Sequence, residues 1–357
     1  MRINPGLRTI HRDAETFQVG LGAGGVILEG LSGPDQDFLE RLCRGSGGVP
    51  VARTAAEAGI PAARAQSILA SLASVIFDDA APADPPGFRG ERLAGDAGLL
   101  SAVHGSPAGA LLAQRGRAAV RLVGLGPTGA AVAQALVAAG VGTLLLEDDR
   151  PVGPADIGPG AFRLSDIGLN RSAAVRRHLL NLDPGCQPHI LRGEHDGGQA
   201  FQTLDLVVYS GQDVVDPAAS ASLMSRDQPH LVVLQREQDG TVGPLVVPGA
   251  GACAECVERH RSAMDPQWPQ LCRQLAAGPR KPEDSTMALA LAGSAARQAV
   301  LFLDGISRPA SWSAVLTLRG WDGFWLRRHY PPHPDCGCQL QKSAESEARA
   351  EADDHRS

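Results

Sequence analysis

Lysine is almost missing from this chain of 357 residues: only Lys281 and Lys342 occur, so arginine carries nearly all of the positive charge. The formal net charge is -6. A dedicated nucleic-acid binder needs a basic face that neutralises phosphates, so the acidic balance argues against that class of protein. The middle of the chain, from Ala118 to Arg280, contains no lysine with which to bind a phosphate.

Long hydrophobic runs are also absent. The segment from Met1 to His11 has no apolar centre of the kind found in secretory signals, and no run of about 18 apolar residues follows. We therefore expect a cytoplasmic protein that does not span a membrane. Glycine and proline are frequent but not periodic, which excludes collagen-like and solenoid folds. Hydrophobic residues make up 43% of the chain, enough for a core.

The first 79 residues predict a small module of their own. Two short strands, Phe17–Val19 and Val26–Leu28, are followed by a helix that Ser32 caps and that carries an apolar stripe of Phe38, Leu39 and Leu42. A pair of helices, Val51–Ala58 and Ala62–Leu72, and a closing strand, Val75–Phe77, come next. This order resembles a winged helix. Winged helices often bind DNA, but the candidate recognition helix carries one cation, Arg64, so we do not predict nucleic-acid binding. Packing on the core or a dimer surface is the alternative role.

The rest of the chain divides into three parts by composition. Residues 80–117 predict a linker and connection that is rich in Pro, Ala and Asp at its start and contains a helix further on. Residues 118–340 predict the main α/β domain. Residues 341–357 are charged, lack apolar periodicity and predict a disordered tail.

A glycine-rich turn opens the main domain. The apolar strand Ala118–Val123 leads directly into Gly124, Gly126 and Gly129, after which a helix and a second strand end at Glu147. A strand, glycine turn and helix in this order form a Rossmann-type unit, in which the turn and the helix N-terminus bind a phosphate. Glu147 is then placed to accept ribose hydroxyls, with Asp149 beside it. The alternative is that the glycines serve packing and no nucleotide binds.

Further motifs resemble the ThiF/MoeB family, which is related to ubiquitin-activating enzymes. In that family the second strand carries GVG-x-L-x-L-x-D-x-D, and S-N-L-x-R-Q, DIG-x-x-K and L-N-P motifs follow. This chain reads Gly140-Val-Gly-Thr-Leu-Leu-Leu-Glu-Asp-Asp149, then Ser165-Asp-Ile-Gly-Leu-Asn-Arg171, then Leu180-Asn-Leu-Asp-Pro184. The resemblance covers residues 118–340. It implies a Rossmann-like core, ATP and Mg²⁺ as cofactors, a homodimer, and formation of acyl-adenylates from terminal carboxylates.

The departures from the family pattern fall on charged groups. Residues 155–160 replace the motif that carries the family's phosphate-binding arginine, although Arg163 lies nearby, and Arg171 stands at the family lysine. Gln212 stands at the magnesium-binding aspartate, with Asp213 one position later. An amide is a weaker ligand for a hard cation than a carboxylate, and phosphoryl chemistry depends on cationic groups. We therefore predict a degenerate nucleotide site, in which Arg171 and Asp213 are the candidate catalytic residues.

Two cysteine pairs predict a metal site near the end of the domain. Cys253 and Cys256 form a CxxC pair, and Cys336 and Cys338 form a CxC pair. Four thiolates in two short pairs suit a structural, tetrahedral Zn²⁺, and the family carries two such pairs at these places. A buried cluster of free cysteines is the alternative. His333 is a further candidate ligand, although a supporting role is favoured. We expect the remaining thiols, Cys43, Cys186 and Cys272, to be small buried side chains.

The order of the modules suggests a function in peptide modification. A small winged helix ahead of a ThiF-like core resembles the leader-binding subunit of azoline-forming cyclodehydratases in bacteriocin biosynthesis. That resemblance implies a peptide or small protein substrate, which joins the module as an added strand, and a YcaO-type partner that uses the ATP. Two alternatives stay open: an ATP-dependent adenylyltransferase that uses Arg163, Arg171 and Asp213, and a zinc-stabilised scaffold without a peptide partner.

Overall fold

The computed structural model describes residues 1–22, 24–45, 47–78, 87–192 and 204–339. Contacts among these residues divide the chain into two compact units, residues 1–114 and 115–357. The predicted disordered tail, residues 341–357, and residues 80–86 of the predicted linker lie outside the described residues.

The first unit begins with short strands and three helices: β1 (Arg2–Ile3), β2 (Thr9–His11), β3 (Phe17–Val19), β4 (Val26–Leu28), α1 (Gly33–Arg44), α2 (Val51–Glu57), α3 (Ala62–Ser71) and β5 (Ile76–Phe77). The strands β2, β3 and β4 form an antiparallel sheet with β3 in the centre, and β1 pairs with β5. The predicted strands and helices are confirmed. The sequence interpretation missed β1 and β2, since β1 has two residues and all three residues of β2 are exposed.

Helix α1 shows how the local sequence sets one of these elements. The Ser32 hydroxyl accepts the backbone N–H of Asp35, and the Asp35 carboxylate accepts the backbone N–H of Ser32, which together make a capping box. The helix then buries Phe38, Leu39 and Leu42 in the core of the module. Arg64 on α3 reaches back to Asp35, so the start of α1 is tied to α3.

The predicted connection is more structured than the sequence suggested. Three helices follow the undescribed segment: α4 (Gly87–Arg92), α5 (Ala94–His104) and α6 (Gly109–Arg117). They bury a small apolar cluster made of Leu93, Ala97, Leu100, Ala108 and Leu112. The interpretation of residues 87–90 as linker is therefore wrong, because these residues begin a helical segment. Asn4 donates to the Ser101 carbonyl at 2.8 Å, which joins α5 to the start of the chain.

The second unit is built on an eight-stranded mixed sheet. Its elements are β6 (Ala119–Val123), α7 (Pro127–Ala138), β7 (Thr143–Glu147), α8 (Arg171–Leu182), β8 (Gln187–Ile190), β9 (Leu206–Gln212), α9 (Pro217–Ser225), β10 (His230–Gln235), β11 (Asp239–Val246), α10 (Ala254–Met264), α11 (Trp268–Ala277), α12 (Ser285–Asp304), β12 (Ala314–Arg319) and β13 (Trp325–His329).

The strand order brings the carboxyl ends of three parallel strands together at one edge of the sheet. The order is β13-β12-β11-β10-β9-β6-β7-β8, and the five strands from β10 to β8 run parallel. The strands β11, β12 and β13 continue the sheet in antiparallel pairs. The carboxyl ends of β6, β7 and β9 therefore meet at one edge, where open α/β sheets form their ligand crevices. This outcome confirms the predicted α/β class.

Among the described residues, one helix, α12, is long and apolar enough on average to cross a membrane by length and composition alone, and half of its apolar window is buried. Ser, Gly, Arg and Gln residues interrupt it, so it is not the run of about 18 apolar residues that the sequence was searched for. Its buried residues, among them Leu291, Ala295 and Ala299, belong to the main core cluster together with residues of α7 and the sheet.

Candidate functional site

The glycine turn between β6 and α7 has a backbone that only glycine adopts without strain. Gly124 has a φ of +83°, and a Cβ there would lie 2.1 Å from the Ser210 carbonyl oxygen of the neighbouring strand β9. A Cβ on Gly129 would lie 2.0 Å from the Gly124 carbonyl oxygen, so this glycine lets α7 pack on the turn. The turn thus brings the N-terminus of α7 to the carboxyl edge of the sheet.

Asp148, the first residue after β7, holds the glycine turn in place. Its buried carboxylate accepts the backbone N–H of Leu125 at 2.9 Å and pairs with Arg150 at 2.6 Å. Burial disfavours the charged form, but hydrogen bonds from Arg150 and Leu125 outweigh it and lower the pKa of Asp148 to about 2. The carboxylate therefore stays ionised and orders the turn.

The lowered pKa of Asp148 predicts that its ionised carboxylate stabilises the fold. Replacing Asp148 by Asn is expected to lower the free energy of unfolding at pH 7 by about 2 kcal/mol, the equivalent of its pKa depression. A depressed carboxyl pKa stabilises the fold fully above the unfolded value, near 4, and the contribution is lost as the pH falls through about 2. Urea unfolding at pH 7 and at pH 2.5 measures the difference.

Asp149 supplies the matched control, because it is the next residue and its side chain is exposed. The Asp149→Asn variant should unfold like the parent protein at both pH values. Equal losses in the two variants, or a loss for Asp148→Asn that does not shrink in acid, would contradict the assigned role.

Arg171, a predicted catalytic residue, lies at the same edge and is already paired. Its guanidinium contacts both carboxylate oxygens of Asp156 at 2.7 Å and reaches Asp148 at 3.3 Å. Asp156 also accepts the backbone N–H of Gly153 at 2.9 Å, which shapes the loop after β7. Arg171 begins α8, where Asn170 caps the helix. Both cations at this edge, Arg150 and Arg171, are therefore neutralised by the protein's own carboxylates.

A carboxylate also occupies the N-terminus of α7. The Glu283 side chain accepts the Thr128 backbone N–H at 2.9 Å and the Thr128 hydroxyl at 2.6 Å. Helix N-termini favour anions because their first N–H groups have no partners within the helix. Glu283 precedes α12, so a distant part of the chain places an anion where the sequence predicts a phosphate.

Gln212, which stands at the family's metal-binding aspartate, makes two backbone contacts. Its side-chain amide donates to the Lys281 carbonyl and accepts the Lys281 backbone N–H at 2.9 Å. Asp213 follows it with a φ of +60°, and its backbone N–H donates to the Gln235 carbonyl at 3.0 Å. Asp213 lines a cavity of about 760 Å³ at the end of β9.

The other residues singled out by the sequence point no side chain at the glycine turn. The Glu147 carbonyl accepts the Gly124 backbone N–H at 3.0 Å, but its carboxylate pairs with Arg121 on the adjacent strand β6. Asp149 and Arg163 have exposed side chains. Sequence reasoning missed Asp148 although a local signal existed, because the residue directly after a parallel strand lies at the ligand edge of the sheet. Glu283 had no local signal, since its partner Thr128 lies 155 positions away.

The four predicted cysteines come together as a compact cluster. The Sγ atoms of Cys253, Cys256, Cys336 and Cys338 all lie within 4.8 Å of one another. Three Sγ–Sγ distances are 3.7 Å for Cys253–Cys256, 3.6 Å for Cys253–Cys336 and 3.4 Å for Cys256–Cys338. Zn–S bonds of about 2.3 Å in a tetrahedron give edges of about 3.8 Å, so the cluster fits a zinc ion.

The surroundings of the cluster also suit a structural metal. Cys253 and Cys256 lie at the start of α10 and are buried with Val246, Val257, Val315 and Tyr330. His333 donates its backbone N–H to the Cys256 sulfur at 3.3 Å, and its Nδ1 accepts the Asp335 backbone N–H at 3.2 Å. These contacts place the His333 backbone beside the Cys256 thiol, and a supporting role for His333 stays a prediction.

Of the remaining cysteines, Cys186 is buried as predicted, whereas the prediction is wrong for Cys43 and Cys272, which are only half-buried. Burial and the Glu258 carboxylate raise the pKa of Cys272 to about 12, and burial raises the pKa of Cys43. Cys186 is buried in the main core. Reactive cysteines depend on a lowered pKa, so Cys43 and Cys272 lack the electrostatic setting of a nucleophile.

Solved structures share this fold over nearly the whole chain. A crystal structure of E. coli MccB with ATP has a TM-score of 0.68 at 16% identity and covers 94% of this chain and 98% of its own. The microcin C7 biosynthetic enzyme MccB in complex with N-formylated MccA gives the same score and identity, with 95% and 99% coverage. PaaA has a TM-score of 0.69 at 16% identity, with 92% and 99% coverage.

The family comparison identifies the main domain. No curated protein matches the chain at a significant level. The ThiF family matches residues 109–340, which is well over half of the sequence. The glycine turn and the paired cysteines on which the resemblance was based lie within this range. The protein therefore belongs to the ThiF family.

Proposed function

We propose that this protein binds a peptide with its N-terminal module, residues 1–79, and presents the peptide for modification. The observation that carries the proposal is the extent of the structural likeness. It reaches beyond the ThiF-matched residues to 95% of the chain, and the MccB structure concerned contains a peptide, N-formylated MccA. A protein that shares both parts of that architecture is a candidate to bind a peptide of its own.

The module offers a strand edge for a peptide. Strand β4 lies at one edge of the β2-β3-β4 sheet, and no strand pairs with its outer side among the described residues. Helix α3 packs against β4, so a strand added at this edge would lie close to the helix. Edge strands offer free N–H and C=O groups to an added strand, while a neighbouring groove takes alternate side chains.

Peptide binding at the β4 edge can be tested with two isoleucines, each in the middle of one of the two edge strands of this sheet. Ile27 is the middle residue of β4 and is 46% exposed, and Ile10 is the middle residue of the opposite edge strand β2 and is 37% exposed. Ile27→Asp is expected to weaken peptide binding about tenfold, because an added strand would cover this apolar side chain and would desolvate a carboxylate instead.

Fluorescence anisotropy provides the measurement, and the probes are labelled synthetic peptides translated from the short reading frames on either side of the gene. Ile10→Asp is the control and should bind like the parent protein. The proposal fails if the parent protein does not bind the peptide, or if the two variants lose affinity equally. Absence of binding would favour the zinc-stabilised scaffold.

The charges at the sheet edge support a degenerate nucleotide site. Arg150 and Arg171 are paired with Asp148 and Asp156, and Glu283 adds a third carboxylate. Transfer of a phosphoryl or adenylyl group relies on free cationic groups and a metal that stabilise developing charge. We therefore propose that a separate enzyme carries out the ATP-dependent step on the bound peptide, and that this enzyme is a YcaO-type partner.

Zinc and dimerisation complete the proposed assembly. We propose that Zn²⁺ is held by Cys253, Cys256, Cys336 and Cys338. The ion would then cross-link the start of α10 to residues 336–338. A homodimer is proposed from the exposed apolar residues around strand β13, since contiguous apolar surface often marks an interface. These residues are Trp321, Phe324, Trp325 and Leu326.

The second candidate function is ATP-dependent adenylylation of a peptide or protein C-terminal carboxylate. It is favoured by the intact glycine turn and by the crystal structure of MccB with ATP. In this reading Arg163, Arg171 and Asp213 replace the missing family groups. Exchange of pyrophosphate into ATP in the presence of the peptide separates the two functions.

A further inference from the structure

Glu283 stands where a ligand phosphate would stand. Its carboxylate satisfies both the Thr128 backbone N–H, at 2.9 Å, and the Thr128 hydroxyl, at 2.6 Å. The same carboxylate lies against the glycine turn, because a Cβ on Gly126 would be 2.3 Å from Glu283 Oε1. The space left by the missing Gly126 side chain, which in a Rossmann-type turn admits a phosphate, is thus filled by a carboxylate of the chain itself.

The segment that carries Glu283 is held on both sides. The Gln212 amide clamps the Lys281 backbone, and the Lys281 ammonium pairs with Glu237 at 2.8 Å. On the other side, Asp284 caps α12 by accepting the backbone N–H groups of Thr286 and Met287. Gln212 therefore has a structural task at the position where the family has a metal ligand.

The charges around Glu283 disfavour a second anion. Three carboxylates, Asp148, Asp156 and Glu283, face two guanidinium groups, Arg150 and Arg171, at this edge. Asp148 is the main cause of the raised pKa of Arg150, and Asp156 and Glu283 contribute to it. A polyphosphate that entered with Glu283 in place would add like charge at short range.

We propose that Glu283 is an internal competitor of nucleotide phosphate, so that a nucleoside triphosphate binds the turn only when Glu283 leaves the N-terminus of α7. The inference rests on the proposed function, in which the nucleotide site is degenerate, and gives that degeneracy a specific cause. It also makes the site one that a single substitution can reopen.

Calorimetric titration of the full-length, zinc-loaded protein with MgATP tests the inference. Glu283→Ala is expected to bind MgATP about tenfold more tightly than the parent protein, since a half-buried charged competitor is removed from the helix N-terminus. Glu283→Gln keeps the side-chain shape and loses the charge, so a gain of several-fold is expected. Glu40→Gln, on α1, removes an exposed carboxylate and should leave the affinity unchanged.

Each outcome bears on the inference. Tighter binding by both Glu283 variants supports it. Unchanged or weaker binding overturns it, and weaker binding would make Glu283 a ligand of the nucleotide complex. If Glu283→Ala does not fold, Glu283→Gln decides alone. Peptide affinity is measured on the same samples. If the parent protein does not bind the peptide, the proposed function is refuted, while the MgATP titrations still decide the role of Glu283.

Discussion

A Cys256→Ser variant is expected to purify without zinc and to unfold roughly 10 °C or more below the parent protein. Cys256 is fully buried, its sulfur lies 3.4 Å from the Cys338 sulfur, and it accepts the His333 backbone N–H. A hydroxyl is a poor replacement for a thiolate ligand, and loss of one ligand from a four-thiolate site removes most of its affinity. Metal analysis by mass spectrometry and thermal unfolding give the two readouts.

Cys272→Ser is the matched control for this substitution. Cys272 lies outside the cluster, on α11, and its pKa is raised rather than lowered. This variant should retain about one zinc per chain and the parent melting temperature. The zinc assignment is wrong if the parent protein carries no zinc, or if Cys256→Ser retains a full equivalent.

The Asp304→Asn substitution is expected to destabilise the second unit by about 3–5 kcal/mol. Asp304 ends α12 and forms two hydrogen bonds of 2.7 Å with Arg115, and the two side chains are 1% and 0% exposed. Arg115 also donates to the Ala139 carbonyl beyond the end of α7. Asn cannot neutralise the guanidinium, so the variant leaves a buried positive charge without its counter-ion.

An exposed ion pair in the same unit provides the comparison. Lys281 and Glu237 are 66% and 70% exposed, and pairs of this kind contribute at most about 1 kcal/mol. Urea unfolding of Glu237→Gln should therefore show a small loss beside that of Asp304→Asn. Similar losses in the two variants would mean that burial does not set the strength of the Arg115–Asp304 pair.

Local patterns predicted most elements of the first unit, the strand, helix and strand around the glycine turn, and the members of the cysteine cluster. The strand, glycine turn and helix at residues 119–138 follow directly from hydrophobic period and backbone freedom. The pairs Cys253–Cys256 and Cys336–Cys338 are found together as their spacing suggested, since each short pair is confined by its own backbone. The glycine turn and each cysteine pair depend on neighbours along the chain, which a sequence displays. The meeting of the two pairs joins positions 82 and 83 apart and was implied by the family resemblance.

The charge pattern of the site could not be read in the same way. Asp148 and Glu147 are adjacent, and only the fold decides that Glu147 pairs with Arg121 on β6 while Asp148 supports the turn. Glu283 reaches Thr128 because α12 packs beside α7, a contact between segments that are far apart in sequence. Residue types alone indicated missing cations, whereas the structure shows that Arg150 and Arg171 are each paired with a carboxylate of the protein.

Exchange of radiolabelled pyrophosphate into ATP, with the parent protein, Mg²⁺ and saturating precursor peptide, tests the proposed division of labour most directly. The paired arginines and the carboxylate of Glu283 at the α7 N-terminus predict exchange no faster than in the absence of protein. Robust, peptide-dependent exchange would contradict the account and would make the protein an adenylating enzyme.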